Sequence, residues 1–327
     1  MRLHSLIEEL ERQRTLKWDE KVASPHLEMA LLNHQVKLQV QEKDRTFSIT
    51  DPCHDQIAER LEIPARYYHK MASEAPELLA ENVNTWLRGG NKEFFLRGLG
   101  DSVRAFLSDR YRVIDHLDIL YCALNELQAH EAETEDCFLS ETEMNLKVRS
   151  NQLQDFIRHR DDLIIGGLLL TNSETGHRAL RIEPRTFRVQ CTNGMVIEEA
   201  MTRQVHLGNG DDGFDDMVYL SIRRSIRELF SRFGEIVLTL REATEIKVRN
   251  PQRVIHNLVE HYRLSETQKE NILIAFGAEP EADKYGIANA VTRAAQREES
   301  WERNLELERI GGKLLTLSEE RLRDWDI

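Results

Sequence analysis

Between Leu163 and Val196 the residues alternate in a way that leaves few folds open to the chain. Leu163 to Leu170 is an unbroken apolar run, short enough for a strand covered on both faces. Asn172-Ser173-Glu174-Thr175-Gly176 then reads as a tight turn in which glycine supplies a positive φ. From Arg178 to Ile182 apolar and basic residues alternate, so successive side chains point to opposite faces of a strand. Pro184 is expected to break that strand, Phe187 to Cys191 to resume it, and Asn193-Gly194 to form a tight hairpin turn. Antiparallel strands joined by turns are the framework this segment demands.

Earlier segments add to it. Leu3, Leu6, Ile7 and Leu10 recur at helical spacing, "HQVKLQVQEKDRTFSIT" alternates like a strand pair, and residues 54–87 return to helical spacing. "EFFLRGLGDSVRAFLSDRY" is two strand-like runs around Gly100-Asp101, and Asp115 is placed to cap a helix that follows. From about Met217 the pattern is helical with few breaks, and Ser265-Glu266-Thr267-Gln268 resembles a capping box. The expected fold class is α+β: a central mostly antiparallel sheet with flanking helices and a helical C-terminal region. The expected divisions are an N-terminal helical and strand segment over 1–90, an α+β core over 91–210 and the helical region over 211–327.

Composition narrows the function classes. The 327 residues are 40% hydrophobic, enough for a core, and carry a net charge of -13, which argues against a surface basic everywhere. Cys53, Cys122, Cys137 and Cys191 are scattered without a C-x-x-C, as reduced thiols would be. No signal peptide or long apolar run is legible, so a cytoplasmic protein without a membrane partner is expected.

Arginines are the main chemical signal. Arg178, Arg181, Arg185 and Arg188 lie close together, and Arg97, Arg104, Arg110 and Arg112 come from the earlier hairpin. On one sheet they would form a positive face able to hold phosphates, with Tyr111, Phe106 and Phe187 as stacking surfaces. The competing reading pairs them with Asp109, Glu143, Glu174 and Glu183. Cys191 and His177 have the residue types of a nucleophile and base, but nothing in the sequence places them together. "HNLVEH" at 256–261 puts His256 and Glu260 on one helix face and His261 off it, so neither a metal nor a cofactor is expected there. The acidic stretch with Asp211, Asp212, Asp215 and Asp216 lacks calcium-loop spacing. A helix-turn-helix is conceivable over 54–73, with Arg66, His69 and Lys70 outward.

Three phrases carry a family resemblance: "VRAFLSDRYRVIDHLDIL", "LLLTNSETGHRALRIEPRTFRVQCTNGMV" and "YGIANAVTRAAQ…WERNLELERIGGKLL". In that order they resemble the phage- and plasmid-encoded family known as domain of unknown function 932, over about Asp51 to Leu315. Arg104, Asp109, Arg110, Tyr111, Asn172, Ser173, Gly176, Cys191, Asn193 and Gly194 match its pattern, without roles. The resemblance implies a mobile-element setting. The expected function is non-enzymatic binding of nucleic acid, single-stranded DNA foremost, in recombination, replication or plasmid establishment. The alternative is a protein-interaction module acting in defence or anti-defence on host or mobile-element proteins. A broad apolar stripe from Met217 to Ile236 leads to the further expectation of a homo-oligomer.

Overall fold

The computed structural model describes residues 1–41, 45–159, 161–197, 202–204 and 214–326. Two antiparallel-rich sheets organise them. The first contains β1 (Lys17–Ala23), β2 (Leu27–Leu32), β3 (Gln35–Val40), β4 (Arg45–Ile49), β5 (Glu93–Leu99) and β6 (Ser102–Ser108). Its order is β1-β5-β6-β4-β3-β2, and β4 lies parallel to β6. A parallel pair needs a crossover. Here α2 (Asp51–Arg60), α3 (Ala65–Glu74) and α4 (Pro76–Gly89) supply it, burying Ile57, Tyr68 and Leu79 against Phe47 and Phe106. In the α2–α3 pair Tyr68 faces this core, while His69 faces solvent and meets Asp55 at 2.6 Å.

The second sheet runs β11-β10-β9-β8-β7, built from β7 (Ala132–Leu139), β8 (Met144–Phe156), β9 (Leu163–Asn172), β10 (Leu180–Arg188) and β11 (Asn193–Val196). The short β12 (Thr202–Gln204) also pairs with β10. The apolar run of β9 has its explanation in this sheet. Leu168 and Leu170 join the large core under α5 (His116–Ala129) and α6 (Phe214–Glu245), while Leu169 packs with Val196 and Leu305 on the other face. Leu305 belongs to α10 (Trp301–Thr316), which packs on α9 (Lys284–Ala295). The helices α7 (Pro251–Tyr262), α8 (Glu266–Ala278) and α11 (Glu319–Asp326) complete the C-terminal region. The capping box forms as the spacing requires: Gln268 N donates to Ser265 Oγ, and Ser265 N donates to Gln268 Oε1. The N-terminal helix α1 (Leu3–Arg14) buries Leu6 and Leu10 in this second core.

Four sequence expectations need correction. The boundary at residue 90 cuts the first sheet, because β5 and β6 pair with β1 and β4. The region after 211 shares one hydrophobic core with the second sheet, so it is not separate from it. Pro184 does not break β10. On the side away from β9, among the described residues β12 pairs with Leu180–Ile182 and β11 with Arg185–Arg188, and none of them calls for a ladder N–H at Pro184. The α6 stripe is narrower than expected: Ile222, Ile226, Leu229 and Phe233 are buried, whereas Met217 and Leu220 are 69% and 67% exposed. Asp211, Asp212 and most of their loop lie outside the described residues.

Candidate functional site at the joint between the sheets

The segment Asn172–Arg178 leaves the end of β9 and enters the space between the two sheets. Asn172, Ser173, Glu174 and Thr175 are all buried there. Such a loop needs a partner for every polar group. Glu174 is the centre. Its Oε1 accepts from Lys17 Nζ and from the His116 backbone N–H, and its backbone carbonyl accepts from Arg97 and Tyr111. Arg97 bonds Asp19 at 2.8 Å and Asp115 at 2.9 Å as well. Thus β1 and the start of α5 meet at the Glu174 carboxylate of the β9–β10 loop, and β5 meets the same residue at its backbone carbonyl. Burial alone would raise the Glu174 carboxyl, but His116 when protonated, Lys17 and Arg97 together hold it well below the usual carboxylate range.

Around this centre the loop is stitched on both sides. Ser173 Oγ donates to the Thr142 carbonyl, Gln56 of α2 donates to the Thr175 carbonyl, and Thr175 Oγ1 meets His177 Nδ1 at 3.0 Å. Gly176 does adopt a positive φ, at 78°, and a side chain there would meet Leu107 and Tyr111. Asn172 Nδ2 donates to the Ile114 carbonyl and faces His116 Nδ1 at 3.0 Å. The carbonyl contact fixes the amide so that His116 Nδ1 is an acceptor, which requires a neutral ring. Burial, aided by Lys17, Arg104 and Arg97 against the opposing Glu174, brings the His116 pKa down to about 4.

A pH dependence follows. The unfolded state takes up the His116 proton near its ordinary pKa of about 6.5, well before the folded state does. The contribution of a neutral His116 is therefore complete above that pH and lost as pH falls toward 4. It is worth about 3 kcal/mol over this window. Urea unfolding between pH 7.5 and 4.5 should show the loss, and His116→Gln should flatten it. An unchanged pH slope in that variant would refute the assignment.

Two further ion networks fasten the second sheet to the C-terminal helices. Arg185 of β10 is clamped by Glu135 at 2.6 and 3.0 Å and by Glu308 of α10 at 2.9 and 3.1 Å, and Lys147 reaches the same Glu308 at 3.0 Å. Burial opposes the Glu308 charge, and Arg185 and Lys147 outweigh it, so its carboxyl also lies low. Arg188 bonds Asp162 and Glu279 and lies near Cys191 Sγ at 3.4 Å. Asn193 donates to Thr292 of α9.

Of the nine residues expected to bind nucleic acid, Arg97, Arg104, Tyr111, Arg185 and Arg188 are buried. The four guanidiniums face internal carboxylates, and the Tyr111 hydroxyl donates to the carbonyls of Ser173 and Glu174. Phe106 is fully buried too. Among the described residues these arginines do not line one open face: Arg97 and Arg104 are buried in the first sheet and Arg185 and Arg188 in the second. Arg110 and Arg178 are exposed, Arg112 and Arg181 half-buried. Arg178 pairs with Glu143 at 3.2 Å and Arg104 lies 3.6 Å from Glu174, as the competing reading had it.

Asn193-Gly194 is not a turn. Both residues lie in β11, paired with Arg188 and Phe187, and the turn falls on Val189–Thr192 with Thr192 at φ 53°. Cys191 Sγ faces Arg188 and Glu279, while His177 faces Thr175, so the two make no nucleophile–base pair. Asp109 is exposed. His256 and Glu260 meet at 3.2 Å on one helix face. Among the described residues no cluster of His, Cys, Asp or Glu could hold a metal, and no helix is long and apolar enough to cross a membrane. Lys17, Asp162, Glu279 and Glu308 were not legible as partners, since each is distant in sequence from the group it pairs.

Fold and site together define an α+β protein whose polar loop joins two sheets. The family described as Domain of unknown function (DUF932) matches residues 104–313, and the chain belongs to it. No curated protein and no solved structure matches the chain.

Proposed function

We propose that this chain is a non-enzymatic, cytoplasmic binding protein of a mobile element and that it contacts single-stranded DNA in recombination, replication or plasmid establishment. One observation supports the contact surface. Tyr111 packs against Gly176, so Arg110 and Arg112, its chain neighbours, share a corner with His177 and Arg178, which follow Gly176. This corner replaces the sheet-wide arginine face. The net charge of -13 slows approach to DNA, so contact depends on local charge within a Debye length of about 8 Å. Fluorescence anisotropy at low salt should show binding of single-stranded oligonucleotides of any sequence. Changing Arg110, Arg112 and Arg178 to Ala should weaken it uniformly and flatten the salt slope by roughly 0.7 per lost contact. Absence of binding to any nucleic acid at low salt would end this reading.

The second reading is a protein-interaction module in defence or anti-defence. Met217 and Leu220, one helical turn apart on α6 and both exposed, favour it. If a second copy covers them, light scattering should give a dimer or higher oligomer, and Leu220→Glu a smaller species. A wild-type monomer at micromolar concentration would remove the oligomer.

A further inference from the structure

Arg104 differs from the other buried arginines in being incompletely paired. It is 8% exposed, yet Nη1 lies 3.6 Å from Glu174 Oε2, too long for a hydrogen bond, and among the described residues Nη2 donates to the Glu141 carbonyl alone, at 3.2 Å. Burial outweighs the attraction of Glu174 and lowers its pKa from the usual arginine range. By contrast Arg185 has four carboxylate bonds. A guanidinium carries five N–H donors, and those of Arg104 that meet no protein acceptor are not sealed away: no Arg104 atom is among the fully buried polar atoms without a partner.

The unmet side of Arg104 belongs to an open cleft of about 460 Å³ between the two sheets. Gln13 of α1, Thr50, Leu99 of β5 and Leu139-Ser140-Glu141 of the β7–β8 turn form its other walls. That volume falls within the roughly 300–1,000 Å³ of small-molecule sites, and a join between substructures is a common place for them. Two acids share the lining: Glu9, whose carboxylate is occupied by Arg12 and Gln13, and Glu141, which is exposed and meets Arg104 through its backbone carbonyl. For a guanidinium that is 8% exposed, a terminal phosphate has the simpler approach, since it carries chain on one side and an internal phosphate carries it on both.

We infer that this cleft binds a phosphomonoester, with Arg104 as its recessed anchor. The group can come from a free mononucleotide or from the 5′ end of a DNA strand. The inference stands apart from the Arg110–Arg178 corner, which holds internal phosphates.

The test compares a 5′-phosphorylated single-stranded oligonucleotide with its 5′-hydroxyl counterpart, beside a 5′-mononucleotide and inorganic phosphate, by calorimetry on the full chain. At least one phosphomonoester should bind, and Arg104→Gln should weaken it about tenfold or more. Because Arg104→Gln also alters the joint, Leu99→Trp serves as a second variant that narrows the cleft from its wall. It should weaken the same ligand and leave the 5′-hydroxyl strand unaffected. Mononucleotide binding with no strand binding would keep the cleft and end the DNA reading. Equal affinity for both strands, with no mononucleotide or phosphate bound, would overturn the cleft and leave the DNA reading standing. A phosphate preference that survives both substitutions would overturn it as well.

Discussion

Gly194→Val should lower the unfolding free energy by roughly 3 kcal/mol or more, enough to threaten folding of an ordinary domain. The turn chemistry expected of Asn-Gly is not the reason. A Cβ on Gly194 would lie 1.8 Å from Arg185 Nη2 and 2.7 Å from Glu308 Oε1. An exposed arginine would swing aside at little cost. Arg185 is 3% exposed and held by four bonds to Glu135 and Glu308, so it has no alternative site. Displacing it leaves Glu308 buried with Lys147 alone, and a buried ion pair broken on one side costs about 3–5 kcal/mol. Gly194→Ala should show most of the same loss, because the collision is with Cβ itself. Thermal and urea unfolding measure it directly. Wild-type stability in both variants would mean that β11 does not pass this close to Arg185.

The parts of the fold that were legible depend on neighbours in sequence. The Gly100 turn has its positive φ, the Ser265 capping box closes within four residues, and the apolar run of β9 is covered on both faces. Pro184 misled because its tolerance depends on which residues of two other strands stand beside it, which local sequence does not encode. The arginines misled for a related reason. A strand arginine reads the same whether it faces water or a carboxylate. Glu308 lies 123 residues beyond Arg185, and Glu279 lies 91 beyond Arg188. The joint loop was legible as a turn but not as an internal one. Its Asn-Ser-Glu-Thr composition suits solvent, and only the convergence of Lys17, Arg97 and His116 on Glu174 makes burial affordable.

The central claim is that the sheet arginines fasten the fold from inside, and one comparison tests it: urea unfolding of Arg188→Ala beside Arg178→Ala. The two substitutions remove the same side chain from the loop before β10 and from the last residue of β10, ten positions apart. Arg188 is 5% exposed, and its loss strands the carboxylate of Asp162, itself 3% exposed, whose other hydrogen bond among the described residues is from the Tyr285 hydroxyl at 3.4 Å. That should cost about 3–5 kcal/mol. Arg178 has 64% of its side chain in solvent and one ion pair, to Glu143, so its loss should cost less than about 1 kcal/mol. The predicted result is a large drop in midpoint for Arg188→Ala and little or none for Arg178→Ala. Equal midpoints for the two variants, both near wild type, would contradict the account and return Arg188 to the surface.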